Sequence, residues 1–297
     1  MKDRVGMPNG DFDYVRDLVR DQSALTLEPG KEYLVESRLN PLARREGFSS
    51  YRDMVKSLRV GPFGDLHRKV VEAMTNNETS FFRDARVFRM LTQSILPRLI
   101  AEGSSERSLH IWCAACSTGQ EPYSLAMLLR EHRPSLDGWD IHITASDISR
   151  DVLARAQAGR YNQIEINRGL PANLLVKYFE QRGSEWELRT EIRRMVEFCE
   201  INLIKPWPPR LRGMHLILLR NVLIYFDVEM RKAILEKAGR LLDPRGSLFL
   251  GGAETTTNLN DSFEPVAHEG AVCFQRRRTG RRGEAAAPAE APAARTG

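Results

Sequence analysis

The stretch Leu109–Met127, LHIWCAACSTGQEPYSLAM, decides how the rest of the chain is read. His110 to Cys113 is apolar without alternation, the pattern of a strand buried on both faces. Ala114-Ala115-Cys116-Ser117-Thr118-Gly119 then carries almost no side-chain bulk, so a ligand can lie against bare backbone. Pro122 suits the first turn of a helix, where its missing N–H is not needed. Tyr123, Leu125, Ala126, Leu128 and Leu129 continue at helical spacing. Strand, tight small-residue turn and helix together form the entry of a nucleotide-type site.

Working outward, strands expected at 109–113, 141–146, 196–200, 215–219 and 247–250 alternate with helices at 121–132, 149–158 and 228–241. Non-alternating strands spaced by helices imply a Rossmann-like α/β fold, a largely parallel sheet covered on both faces. Segments 262–267 and 271–276, split by His268-Glu269-Gly270, read as a closing antiparallel hairpin. Residues 160–195 break the alternation, and Gly183 between two short strands marks a small β-insertion. Upstream, helical periodicity without strands gives residues 1–75 as a small all-helical domain. Residues 76–108 then serve as a linker and leading helix to an α/β domain at 109–276. Residues 277–297 are low-complexity Ala/Pro/Arg and are expected to be disordered.

At 297 residues, 42% hydrophobic and 28% charged, the chain has ample material for a full core. The net charge of +5 is mostly a tail property: residues 276–297 hold six Arg and two Glu, leaving +1 for everything else. That argues against nucleic acid as a partner. The N-terminal domain is nonetheless polarised, with three basic against seven acidic side chains over 11–36 and eight against three over 38–69. No apolar run is long enough to span a bilayer and the start has no signal-peptide core, so membrane insertion is not expected and the reading is cytoplasmic. Four cysteines make no disulfide framework, and the Cys113–Cys116 pair lacks a second Cys/His pair for a metal. Small side chains filling a tight turn explain that pair better.

Two carboxylates flank the turn. Asp147 ends the second strand, where a carboxylate faces the ligand crevice and accepts ribose hydroxyls; capping of the next helix is a compatible role. Without GxGxxG spacing a pyrophosphate, and so NAD, is disfavoured. Glu121 favours a ligand with a cationic amino group over a phosphate, as an alternative to compensating the helix dipole. Together they point to a sulfonium amino-acid nucleoside, S-adenosylmethionine. Arg220 and Asn221 leave the strand 215–219 at its carboxyl end, with Tyr225 at the rim of the same crevice or packed in the core. Asn77 and Arg83 in the linker read either as site walls or as a solvated face.

The segments NNETSFFRD, IWCAACSTGQEPYSLAM, ASDIS, Gly159-Arg160-Tyr161, INLI and LRNVLIYF, in this order, resemble the chemotaxis receptor methyltransferases known as CheR. The resemblance runs from about residue 11 to 276 and its motifs are specific. It implies a helical domain joined to a class I S-adenosylmethionine methyltransferase sheet with a β-insertion, methylating glutamate side chains on chemoreceptors and releasing S-adenosylhomocysteine. It also implies cofactor contacts from Asn77, Thr79, Arg83, Glu121, Asp147, Asn202, Leu203, Arg220 and Asn221, with Arg83 and Tyr225 beside the transferred methyl as the catalytic pair. Gln120 departs from a frequent Glu, leaving Glu121 the only carboxylate of that pair. The insertion turn Gly183-Ser184-Glu185-Trp186 is shorter than in members that dock a receptor pentapeptide, which puts such tethering in doubt.

A glutamate carboxylate is already a nucleophile, so the absence of a Ser/His/Asp or Cys/His constellation fits this chemistry. The basic run Arg38, Arg44, Arg45, Arg52, Lys56 and Arg59 is the expected docking face for an acidic receptor bundle, against the plainer reading of a solvated helix face. A monomer is expected. Two other functions stay open: a cofactor-binding regulator without transferase activity, and a nucleic-acid N-methyltransferase, which lacks its Asn/Asp-Pro-Pro-aromatic motif here.

Overall fold

The computed structural model of the chain describes residues 9–103 and 105–277. The expected disordered tail falls, except for Arg277, outside the described residues. Four helices make the N-terminal domain: α1 Asn9–Ser23, α2 Glu32–Arg45, α3 Tyr51–Val60 and α4 Asp65–Met74. Their apolar stripes close over a core of their own, with Val15, Val19, Val35, Leu39, Met54, Val55 and Val70 fully buried. Burying each such side chain contributes about 1.5–3 kcal/mol, so this small unit rests on its own core.

Past a polar linker, α5 Ala85–Met90 and α6 Leu96–Glu102 are joined by a π-helical stretch, Leu91–Ile95. The α/β domain follows: β1 Ser108–Ala114, α7 Gln120–Glu131, β2 Asp140–Asp147 and α8 Arg150–Ala158. The insertion comprises β3 Arg160–Asn162, α9 Gln163–Asn167, α10 Ala172–Tyr178, β4 Phe179–Arg182, β5 Glu185–Leu188 and α11 Thr190–Arg193. The sheet resumes with β6 Val196–Glu200, β7 Met214–Leu219, α12 Val228–Leu241, β8 Leu242–Leu250, β9 Phe263–His268 and β10 Ala271–Arg276. Each expected strand and helix is present. The largest boundary difference is β8, which begins at Leu242 rather than 247 because the chain turns directly from α12 into the sheet.

The seven strands lie in the order β6-β2-β1-β7-β8-β10-β9, the first five mutually parallel and β10 running antiparallel between β8 and β9. Alternate residues of β1 serve opposite faces. Ile111 and Cys113 pack with Leu125 and Leu129 of α7, whereas Trp112 and Ala114 join Ile234 and Leu235 of α12. Both faces are therefore apolar, which is why the strand shows no period-two pattern. The order reverses between β1 and β7, so their carboxyl ends diverge into a crevice. The insertion folds as a separate antiparallel sheet, β3-β5-β4, turning at Gly183-Ser184 with Gly183 at φ 64°.

Candidate active site

The turn after β1 is built from left-handed residues: Ala115, Ser117 and Gly119 have φ of 53°, 51° and 91°. At Gly119 the space is closed as well, since a Cβ there would stand 2.9 Å from the Ala156 methyl and 3.3 Å from the Tyr161 hydroxyl. Gln120 is buried and accepts from Thr118 Oγ1 at 2.8 Å, a structural use that explains a neutral residue beside Glu121. Asp147, 6% exposed, receives the Ser117 N–H at 2.9 Å and the Ser149 N–H at 3.0 Å. It thus ties the turn to the strand end, while Ser149 rather than Asp147 caps α8. Ser117 Oγ in turn donates to the Asn77 carbonyl at 2.8 Å, drawing the linker across the turn.

The cleft at these strand ends has a volume of about 910 Å³, its open mouth included. Asn77, Thr79, Arg83, Glu121, Asp147, Asn202, Leu203, Arg220, Asn221 and Tyr225 all line it. Every candidate named from the sequence is therefore brought to one place, including the linker residues that read equally well as a solvated face. Three of them have partners that the sequence did not indicate. Glu121 is not a free carboxylate: Arg220, its side chain 1% exposed, donates to it at 2.6 Å and also pairs with Asp84. Asn202 donates from Nδ2 to the Gln22 carbonyl at 2.7 Å and accepts the Ile204 N–H on Oδ1, so its side chain is a strut between domains. Asn221 adopts φ 57°, and its N–H donates to Glu254.

Burial decides the protonation tendencies. Desolvation pushes the Glu121 and Asp147 carboxyls up, against the pull of Arg220 on the first and of backbone N–H groups on the second. The Cys113 and Cys116 thiols are pushed well up by the same loss of water, which keeps them protonated and poor as nucleophiles or ligands.

A family model described as the CheR methyltransferase SAM binding domain matches residues 77–272, and one described as the CheR methyltransferase all-alpha domain matches residues 10–75. The chain belongs to the CheR methyltransferase family. Among its relatives, a chemotaxis protein methyltransferase 1 of Pseudomonas aeruginosa is 39% identical over 262 residues, 87% of this chain and 94% of that one. A chemotaxis protein methyltransferase of Pseudomonas putida is 36% identical over 271 residues, 90% and 98% of the two chains. One from Vibrio cholerae is 37% identical over 251 residues, 84% and 90% of the two. This CheR protein is a methyltransferase, and its cofactor is S-adenosylmethionine.

The cleft fits that cofactor chemically. It offers bare backbone at Ala115–Ser117, a strand-end carboxylate for a sugar diol in Asp147, and mixed charges in Glu121, Arg220 and Arg83 for an amino-acid zwitterion. The Nε of Arg220 is buried without a hydrogen-bond partner among the described residues.

Several residues of the CheR site escaped the sequence reading. Ser23 and Leu25, at and just after the end of α1, form one wall, and the Thr26 N–H donates to the Tyr225 carbonyl. Glu254 accepts from the N–H groups of Gly251, Asn221 and Ile224, fixing the loop that carries Tyr225. Nothing in a lone Glu after Gly-Gly-Ala announces that. Asn76, beside the expected Asn77, donates Nδ2 to the Tyr225 hydroxyl at 2.7 Å.

The expected basic face needs a correction. Arg38 turns inward and donates to the carbonyls of Met74 and Thr75 at 2.6 and 2.8 Å, because the end of α4 leaves those oxygens without helical partners. Arg59 is likewise engaged, with Asp11 and the Gly10 carbonyl. Arg44, Arg45, Lys56 and Arg59 are exposed and Arg52 half-exposed, with Arg45 and Lys56 also paired, to Asp151 and Asp53. Among the described residues no helix is long and apolar enough to cross a membrane, and no cluster of His, Cys, Asp and Glu is arranged to hold a metal ion.

Proposed function

We propose that this methyltransferase acts on glutamate side-chain carboxylates of chemoreceptors, forming methyl esters. The observation that carries the proposal is the composition of the cleft wall. Among the described residues it presents a guanidinium, Arg83, and a phenol, Tyr225, but no histidine; its thiol, Cys116, is held protonated, and its carboxylates are engaged, Glu121 with Arg220, Asp147 with backbone N–H groups and Glu78 with Arg168. An amine or hydroxyl acceptor needs a base to remove its proton, whereas a carboxylate needs only to be held. When bound, S-adenosylmethionine supplies a methyl carbon on a sulfonium whose sulfur keeps the bonding electron pair on departure, leaving S-adenosylhomocysteine. Arg83 steers the incoming carboxylate, and Tyr225 orients one of its oxygens by donating a hydrogen bond. Asp147 holds the sugar hydroxyls; Glu121, Arg220 and the backbone of Asn202–Leu203 hold the remainder of the cofactor.

The relatives are named as chemotaxis protein methyltransferases, which supports a chemoreceptor as the methyl acceptor. Arg44, Arg45, Arg52 and Lys56 are the candidate contacts to an acidic receptor bundle. The test is transfer of labelled methyl from the cofactor to receptor-bearing membranes, followed by alkali. Counts released as methanol support the ester. Alkali-stable counts would mean a nitrogen acceptor instead, and no transfer at all would favour a cofactor-binding regulator.

A further inference from the structure

Tyr225 has one hydroxyl proton and two lone pairs, and what it can offer a substrate depends on what its other neighbours take. Asn76 Nδ2 stands 2.7 Å from the phenolic oxygen. With an N–H entering one lone pair, the tyrosine proton is left free to point into the cleft, and the phenol acts there as a donor. Asn76 itself is exposed and sits on a linker of no regular structure, so its aim depends on what holds the linker. Three contacts do so. Arg38 grips the carbonyls of the two preceding residues, Met74 and Thr75. Thr75 Oγ1 lies 3.1 Å from Asn77 Oδ1. Ser117 Oγ donates to the Asn77 carbonyl from the turn after β1. On the opposite side the tyrosine backbone is fixed by Thr26 and by the Glu254 loop.

We infer that Asn76 is a positioning residue, held in place by Arg38, that commits the Tyr225 hydroxyl to donating toward the substrate. A hydroxyl that presents its proton to the cleft suits a carboxylate, which accepts on either oxygen, better than it suits the NH2 edge of a carboxamide. The inference rests on the proposed glutamate methylation. It assigns Asn76 no contact with the cofactor.

The test compares Asn76→Ala and Asn76→Asp with wild type, alone and combined with Tyr225→Phe, by labelled methyl transfer to receptor membranes. Calorimetric cofactor affinity and melting temperature are read on each variant. Wild-type transfer must first be seen; its absence would sink the functional reading and this inference with it. Given transfer, Asn76→Ala is expected to lower turnover roughly tenfold, the worth of one hydrogen bond, with cofactor affinity unchanged. Asn76→Asp is expected to be worse than Asn76→Ala, because an aspartate accepts the tyrosine proton and turns it away from the substrate. In the Tyr225→Phe background neither change should matter further. Turnover in Asn76→Asp equal to wild type would show that Asn76 accepts from Tyr225, and would overturn the inference while leaving glutamate methylation intact. So would losses that simply add to that of Tyr225→Phe, or a fall in cofactor affinity that tracks turnover.

Discussion

Arg220 sits among the most enclosed charges of the molecule, with Glu121 and Asp84 both on its guanidinium. A buried ion pair adds little net stability when intact, yet losing one partner leaves the other charge without compensation. Arg220→Met is therefore expected to destabilise the protein by about 3–5 kcal/mol at neutral pH, read from denaturant unfolding. Because burial already raises the Glu121 carboxyl, that variant should regain stability as the pH falls and Glu121 protonates. Adding Glu121→Gln should recover part of the loss at neutral pH; no recovery would mean that the damage is steric. Asp147 differs, since its backbone donors come from two places that other bonds also hold, Ser117 in the turn after β1 and Ser149 at the cap of α8. For Asp147→Ala the main expected effect is a loss of cofactor affinity of roughly 10–100-fold, the scale of a charged hydrogen bond. Unchanged affinity by calorimetry would refute the sugar-binding role.

At the scale of elements, the strand–turn–helix around Gly119 has the tightest sequence constraint. A methyl at Gly119 meets Ala156 at 2.9 Å while the backbone holds φ at 91°. Gly119→Ala is expected to destabilise the apo protein by about 1–3 kcal/mol, through left-handed strain and overpacking. It should also lower cofactor affinity, because the turn must shift; a variant that melts and binds like wild type would contradict this. The same element explains why so much was legible beforehand. A two-faced strand, six small residues and a Pro in the first helical turn are each local signals, and the resemblance extended them to ten residues that one cleft gathers. What could not be read was pairing at a distance. Glu121 and Arg220 are 99 positions apart, Asn221 and Glu254 are 33 apart, and no local pattern links either pair. Arg38 misled for a related reason: on an amphipathic helix an arginine reads as solvated, whereas this one reaches the open carbonyls of another helix 36 residues on.

For the whole molecule, two conditions discriminate. At the amino-terminal ends of three neighbouring strands His110, His142 and His215 lie side by side, with ring centroids 5.4 and 5.7 Å apart. His215 is buried and its Nδ1 accepts the His110 N–H, so it is held neutral, and desolvation lowers its pKa below the ordinary 6.5. A base with a depressed folded value is protonated first in the unfolded chain. The stability it permits is fully present above about pH 6.5 and is lost as the pH falls through the folded value. The raised carboxyls Glu121 and Asp147 act with the opposite sign, so the difference between wild type and His215→Asn isolates the histidine. Melting temperature should fall between pH 7 and 5 more steeply in wild type than in His215→Asn; parallel curves would remove the histidine from the account. Docking on receptor membranes through Arg44, Arg45, Arg52 and Lys56 should weaken as salt is raised, since charges this exposed are screened. Affinity indifferent to salt would end the case for that face.

The contacts of α1 with the cleft bear on how such a protein can be recombined. Ser23 and Leu25 wall the cleft, Gln22 receives Asn202, and Thr26 holds the tyrosine backbone. The helical domain and the sheet domain are thus two folding units but one chemical compartment. Grafting the helical domain of a relative onto this sheet exchanges part of the enclosure in which the methyl is delivered. Because Gln22 and Thr26 act through their backbone, a lineage that reshapes the helical domain to meet a new receptor is expected to keep the path of the chain over residues 22–26 rather than its side chains.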